Sequence, residues 1–190
     1  MDAIFEATIQ VLISDGLMRL NTTRVAQRAG VSVGTLYQYY PNKEALLFAV
    51  LQRHLALLVD AIEKACNDNQ GATIEIAAEA VVKAYLHAKM AQAEISPALY
   101  RISIELDARE LMDVATRRSA KAIEAMLTGT GNGRFTNPSL LAQTLTAALY
   151  GTVPAFCHQV LSAANGIEAE KQLTIMFRSY LVAHQGGAPK

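Results

Sequence analysis

The chain has 190 residues, 52% of them hydrophobic and 18% charged, with 17 acidic and 17 Lys or Arg side chains. That length buries a sizeable core, as one domain or two small ones, and the apolar content excludes a disordered chain. A net charge of zero excludes a uniformly basic nucleic-acid binder, so any nucleic-acid footprint has to be local. Cys66 and Cys157 stand far apart and match no metal spacing, so both read as ordinary thiols in a reducing compartment. No basic-then-apolar leader opens the chain, and no apolar run reads as long enough to span a bilayer. The expectation is a cytoplasmic protein without a membrane partner.

Asp2 to Ser14 reads as a helix, because Ile4, Phe5, Thr8, Val11 and Leu12 recur at intervals of three and four. Gly16 ends it, and Leu17 and Leu20 cover the core edge. Asn21 then caps a short helix from Thr22 to Ala29, with Val25, Ala26 and Ala29 as its small apolar face. Gly30 follows at the position where a left-handed residue closes a helix easily. Ser32 caps a second short helix, Val33 to Tyr40, which Pro41 stops. Helix, glycine turn, helix is the helix-turn-helix plan.

The second helix has unlike faces. Val33, Leu36 and Tyr40 point toward the first helix, while Gly34, Thr35, Tyr37 and Gln38 point outward, with Tyr39 at the edge. A merely solvated face would carry Lys and Glu. This one suits a major groove: Gly34 allows close approach, Gln38 pairs with a base edge, Thr35 reaches a phosphate or a thymine methyl, and the tyrosine hydroxyls reach phosphates. Between Asp15 and Glu44 the only charged residues are Arg19, Arg24, Arg28 and Lys43. Lys43, at the start of the next helix, makes an anion site with that helix's N-terminus. The candidate DNA contacts are Asn21, Thr22, Thr23 and Arg24 on the first helix, Val33, Gly34, Thr35, Tyr37, Gln38 and Tyr39 on the second, and Lys43.

The run VAQRAGVSVGTLYQYYPNKEALL, from Val25 to Leu47, resembles the N-terminal DNA-binding domain of TetR-family transcriptional regulators. The matching pieces are Val25-Ala26, Ala29 to Ser32, Gly34 to Tyr40 and Lys43 to Leu46, with Tyr40 where the family more often has Phe. The family usually carries basic residues before its first helix, and here the chain starts almost at that helix: either a native arm is absent from this chain or the protein lacks contacts from that side. The resemblance implies an all-α protein of about nine helices. A three-helix DNA-binding domain, residues 1–46, is joined by a long helix to an effector-binding and dimerisation domain, residues 47–190.

Asn42 caps the long fourth helix, expected to run to about Ala65, with Leu47, Val50, Leu51, Leu55, Leu58, Val59 and Ile62 on its apolar side. Asn67 to Gly71 reads as a loop. Thr73 to Gln92 shows a stripe of Ile76, Ala77, Ala80, Val81, Ala84, Tyr85 and Ala88. Ser96-Pro97 reads as an N-cap followed by proline, opening a helix with Leu99, Tyr100, Ile102, Ser103 and Leu106. Ala108 to Leu127 has a polar side of Arg109, Arg117, Arg118, Lys121 and Glu124. Gly129 to Gly133 has no phosphate-loop spacing and reads as a flexible loop. Asn137-Pro138 opens a helix expected to reach about Ala164, with Pro154 inside it, and Asn165-Gly166 separates it from a last helix, Glu168 to His184.

Leu141, Leu145 and Leu149 form one late stripe, and Leu173, Met176, Phe177 and Tyr180 another. They either close the core of one chain or meet a two-fold copy in a four-helix bundle, and the resemblance implies the second. It also implies a small-molecule site in the later helices. Tyr85, Met90, Tyr100, Met126, Tyr150, Phe156 and His158 are the candidates for its lining, although residue by residue each also reads as core. A mainly apolar or aromatic effector would suit them. His54, His87, His158 and His184 lack metal spacing, and no nucleophile elbow surrounds a serine, so neither an enzyme nor a cofactor is expected. The expected function is a homodimeric repressor that leaves a palindromic DNA operator when an effector binds. The rival readings are a ligand-independent activator or architectural DNA binder, and a helical ligand-binding protein whose DNA unit has decayed.

Overall fold

The structure, a computed structural model, describes residues 2–157 and 163–186, with side chains described for all of these except 153–157 and 163–165. The helices are α1 (Asp2–Asp15), α2 (Thr22–Ala29), α3 (Val33–Tyr39), α4 (Lys43–Asp68), α5 (Ile74–Met90), α6 (Ser96–Glu105), α7 (Arg109–Thr128), α8 (Pro138–Cys157) and α9 (Ala163–Ala183). One isolated bridge between Phe135 and Gln185 is the only extended pairing among the described residues. The all-α class read from the periodicity is the class found. The chain divides into two compact units, Met1–Leu55 with Gln92–Arg109, and Ala56–Ala91 with Glu110–Lys190. α4 contributes its first half to one unit and its second half to the other.

In the first unit α1 buries Ile4, Ala7, Thr8, Val11 and Leu12. Thr8 satisfies its hydroxyl by donating to the Ile4 carbonyl at 2.7 Å, so it sits in an apolar stripe at little penalty. α1 ends at Gly16, whose φ of 77° lies in the left-handed region. α6 also belongs to this unit, burying Leu99 and Ile102. Its start differs from expectation. Ser96 is not the N-cap: Ile95 precedes the helix in a helical conformation, and the Ser96 hydroxyl donates backward to the Gln92 carbonyl at 3.0 Å. The turn before α6 is already helix-like, so the serine joins it.

In the second unit the buried face of α5 is wider than the expected stripe and turned from it. Ile74, Ala78, Val82 and Leu86 are buried beside Ala77, Val81 and Tyr85, whereas Ile76 is 51% exposed. Alanines obscure the helix face, because they fit either side. The Gly129–Gly133 segment is pinned rather than loose. Gly131 donates to the Ala72 carbonyl at 3.0 Å, and Asn132 Oδ1 accepts from the Ile74 backbone N–H at 2.8 Å. Asn132 thereby caps α5 from across the fold, in place of the Thr73 side chain, which makes no cap bond.

The Asn165-Gly166 pair lies inside α9 rather than before it. A Cβ at Gly166 would come within 2.8 Å of the flexible end of the Met90 side chain, so this glycine packs beside Met90 of α5 rather than in a turn. α8 is described as far as Cys157, and the expected run to about Ala164 continues into residues 158–162, outside the described residues.

One further expectation is corrected. α4 is long and apolar enough, by length and composition, to cross a bilayer, but half of its most apolar stretch is buried in the protein. Leu47, Leu51 and Leu55 are buried on its first half, and Leu58, Val59 and Ile62 on its second. The late stripes close the core of the second unit: Leu141, Leu145, Leu149, Leu173 and Phe177 are each 5% exposed or less. A helical apolar stripe has the same spacing whether its own chain or a second copy covers it. Met176 is exposed and Tyr180 half-buried.

Candidate nucleic-acid interface

Local chemistry fixes the two short helices. The Arg24 backbone N–H donates to Asn21 Oδ1 at 2.9 Å, opening α2. α2 closes on Gly30 at φ 68°, with Gly30 N–H bonded to the Gln27 carbonyl and Val31 N–H to that of Ala26. These paired bonds are a Schellman closure, which only a residue at ease in the left-handed region completes cheaply. Ser32 then opens α3 by accepting from the Thr35 N–H at 2.9 Å. Tyr40 leaves the helix in an extended conformation, as the residue before proline should, so α3 ends one residue before the expected boundary.

The faces of α3 are unequal. Leu36 is fully buried, and Tyr40 is 8% exposed, its ring edge-on to Phe5 at 6.0 Å. Gly34 and Gln38 are exposed, and Tyr37 and Tyr39 are about half exposed, at 48% and 55%. Val33 and Thr35 are intermediate. No acidic side chain interrupts this face. The Tyr37 hydroxyl shares a 3.1 Å hydrogen bond with the Thr22 hydroxyl, tying α3 to the first residue of α2. Thr22 itself is buried, so among the candidate contacts it holds Tyr37 rather than faces outward.

The flanking charges are less free than the sequence suggests. Arg24 pairs with Asp15, whose carboxyl is held below its usual range by the Ser14 hydroxyl first and by Arg24 second. Arg28 donates to Gln10 at 2.8 Å. Lys43 Nζ donates to the Leu17 carbonyl at 3.2 Å, joining the start of α4 to the turn after α1. Asn42 caps α4 through the Ala45 N–H at 2.7 Å. Asn21 and Thr23 are exposed. Counting charged residues along the chain missed the Asp15 partner, which faces Arg24 only after the Gly16 turn folds back.

In the second unit the structure brings part of the proposed lining together. Tyr85 and Tyr150 pack with ring centroids 5.2 Å apart. The Tyr150 hydroxyl shares a 3.1 Å hydrogen bond with Ser119, which is fully buried. Burial pushes the Tyr150 phenol up, so it stays protonated through neutral pH. Met126 is buried, and Met90 packs near Gly166. Tyr100 sits on α6 in the first unit, 49% exposed. His158 and the Phe156 side chain lie outside the described residues. Ser119 was missed, although Ala115, Ser119, Ile123 and Met126 are spaced as one apolar stripe holding a single hydroxyl. Among the described residues no group of three or more His, Cys, Asp or Glu is placed to hold a metal ion.

Two family models match the chain. "Bacterial regulatory proteins, tetR family" matches residues 4–50, and "Tetracyclin repressor-like, C-terminal domain" matches residues 73–181. The fatty acid metabolism regulator protein of Bacillus subtilis is 28% identical over 61 residues, 32% of this chain and 31% of that one. The nucleoid occlusion factor SlmA of Actinobacillus pleuropneumoniae is 33% identical over 100 residues, 52% of this chain and 46% of that one. The chain therefore spans less than half the length of these curated relatives. The solved structure of the fatty acid degradation regulator FadR from Bacillus halodurans aligns with a TM-score of 0.70 at 20% identity, covering 93% of each chain, a likeness of fold.

Proposed function

The chain belongs to the TetR family of transcriptional regulators, and from that premise we propose that it is a dimeric, sequence-specific DNA-binding repressor controlled by a small apolar effector. The observation that carries this is α3: a helix capped at its start, anchored by Leu36, and presenting Gly34, Tyr37, Gln38 and Tyr39 outward without an acidic residue. Such a face fits a major groove, where Gln38 reads a base edge and the tyrosines reach phosphate oxygens. Two copies would engage successive grooves about 34–36 Å apart, or a multiple of that spacing. Contact between copies falls to the outer faces of α8 and α9, where Leu140, Ile175, Met176 and Val182 are exposed. The place of action is the cytoplasm, with the DNA.

The effector belongs with the Tyr85–Tyr150–Ser119 cluster, an apolar setting with buried hydroxyls. Two relatives named for fatty acids agree in kind with an apolar ligand. α4 carries the response, because one continuous helix contributes to both units. A near-complete switch needs the effector to favour the DNA-free state by about 5.5 kcal/mol. Operator affinity unchanged at saturating effector would refute the switch.

The test of the DNA assignment is fluorescence anisotropy on labelled duplexes across a salt series. Gln38→Ala should lose roughly 1–3 kcal/mol of discrimination between base sequences. Lys43→Ala should weaken all duplexes alike and lower the salt slope by about one. Equal effects from both changes would refute the division of roles.

A further inference from the structure

The cations between Asp15 and Glu44 are not equivalent once the chain has folded. The Arg24 guanidinium is held by Asp15, Arg28 donates to Gln10, and Lys43 donates to the Leu17 carbonyl. Arg19 is the exception: it is exposed, and its guanidinium has no hydrogen bond or ion pair among the described residues. The turn between α1 and α2 fixes where it stands. Gly16 reverses the chain at φ 77°, and the Arg19 and Leu20 N–H groups both donate back to the Gly16 carbonyl, at 3.3 and 3.2 Å. Leu17 and Leu20 are buried on either side, so Met18 and Arg19 between them face outward. Met18 is 84% exposed, and no described residue covers this tip. Lys43 fastens the turn from α4 through its bond to Leu17.

We propose that Arg19 is a phosphate contact that sets the strength of DNA binding and not its sequence preference, with the α1–α2 turn as its mount. This rests on the DNA-binding reading of α3. In a helix-turn-helix the first helix crosses the DNA backbone while the second enters the groove. Arg19 stands just before Asn21, the cap of that first helix, and its turn is bonded to Lys43, the other proposed phosphate contact. A guanidinium there lies at the level of the backbone and forks onto phosphate oxygens. It gives up no internal bond to do so, whereas Arg24 must first release Asp15. Phosphate contacts fix position and affinity without reading bases.

The test is the salt dependence of affinity, measured with the full chain on two duplexes of equal length: an inverted repeat recovered from a random pool, and its scrambled version. Arg19→Gln should lower the slope of log affinity against log salt by about 0.9, the share of one phosphate on B-DNA. It should weaken both duplexes by the same factor. Arg19→Lys keeps the charge and should keep the native slope. Arg24→Gln should lower the slope less than Arg19→Gln does. Lys83→Gln, an exposed cation of the second unit, should leave it unchanged. The proposal is overturned if Arg19→Gln retains the native slope, if Lys83→Gln lowers it as much, or if Arg19→Lys behaves like Arg19→Gln. It is also overturned if Arg24→Gln costs more than Arg19→Gln, or if the loss differs between the two duplexes. Any of these results leaves the native chain a DNA binder, so it sinks the role of Arg19 alone. A native chain that binds neither duplex sinks the DNA-binding reading and this inference with it.

Discussion

Thr22 and Tyr37 lie 15 residues apart and share one hydrogen bond, which fixes a half-exposed aromatic ring on the outward face of α3. A neutral bond of this kind contributes about 0.5–1.5 kcal/mol. Thr22→Val and Tyr37→Phe should each lower stability within that range, and the double variant should be no worse than the larger single one. Strictly additive losses in urea unfolding would show that the bond contributes nothing. Cys66 gives a second test. Burial, with the nearby Glu63 charge adding, pushes its thiol from an ordinary value of 9.0 up to about 12. The unfolded chain releases this proton first, so the thiol's contribution is complete below about pH 9 and falls as pH rises toward 12. Tyr150 adds to the same trend, its phenol being raised by burial. Cys66→Ala should therefore flatten the alkaline loss of stability without abolishing it; an unchanged slope would place the loss elsewhere.

At the scale of elements, legibility followed how local the determinant was. The caps Asn21, Ser32 and Asn42 and the closing Gly30 act within a few residues, so α2, α3 and the start of α4 could be read directly. The wrong boundaries depend on distant partners. Gly166 looked like a turn residue because its partner, Met90, is on another helix. Thr73 read as the first residue of α5, yet the helix starts at Ile74, whose backbone N–H is capped by Asn132. That same asparagine donates to Glu75 at 3.3 Å, and the Glu75 carboxyl is held low first by its own backbone N–H, then by Thr73 and Asn132. Asn132→Ala should cost about 1 kcal/mol, as the loss of a cap does. Gly131→Ala should cost more, roughly 1–3 kcal/mol, because its Cβ would meet the Gly71 carbonyl oxygen at 2.8 Å. Thermal melts that rank these two the other way would contradict the pinned reading of the segment. Arg118 adds a bond between elements, gripping Glu63 through two nitrogens at 3.0 and 2.8 Å. Its half-exposed setting makes it a weak source of stability, though it fixes where α7 meets the second half of α4.

At the scale of the molecule, periodicity settled the all-α class, because no stretch alternates as a strand does. It did not tell a core stripe from an exposed one. Leu141, Leu145 and Leu149 recur on one side of α8 and are buried by their own chain, whereas Leu140 beside them is 56% exposed. Likewise Ser119 belongs to the tyrosine cluster only through Tyr150, 31 residues on. The outward face of α3 was legible for the opposite reason: its unusual composition is local and stays at the surface. In the proposed function this face, in two copies, reads DNA sequence. The direct measurement is selection of bound duplexes from a random pool at one stated salt concentration, with Tyr37→Ala run in parallel. An inverted repeat with half-sites in successive major grooves is expected, lost or blurred in the variant. Weak, salt-sensitive binding without a motif in both proteins would contradict it.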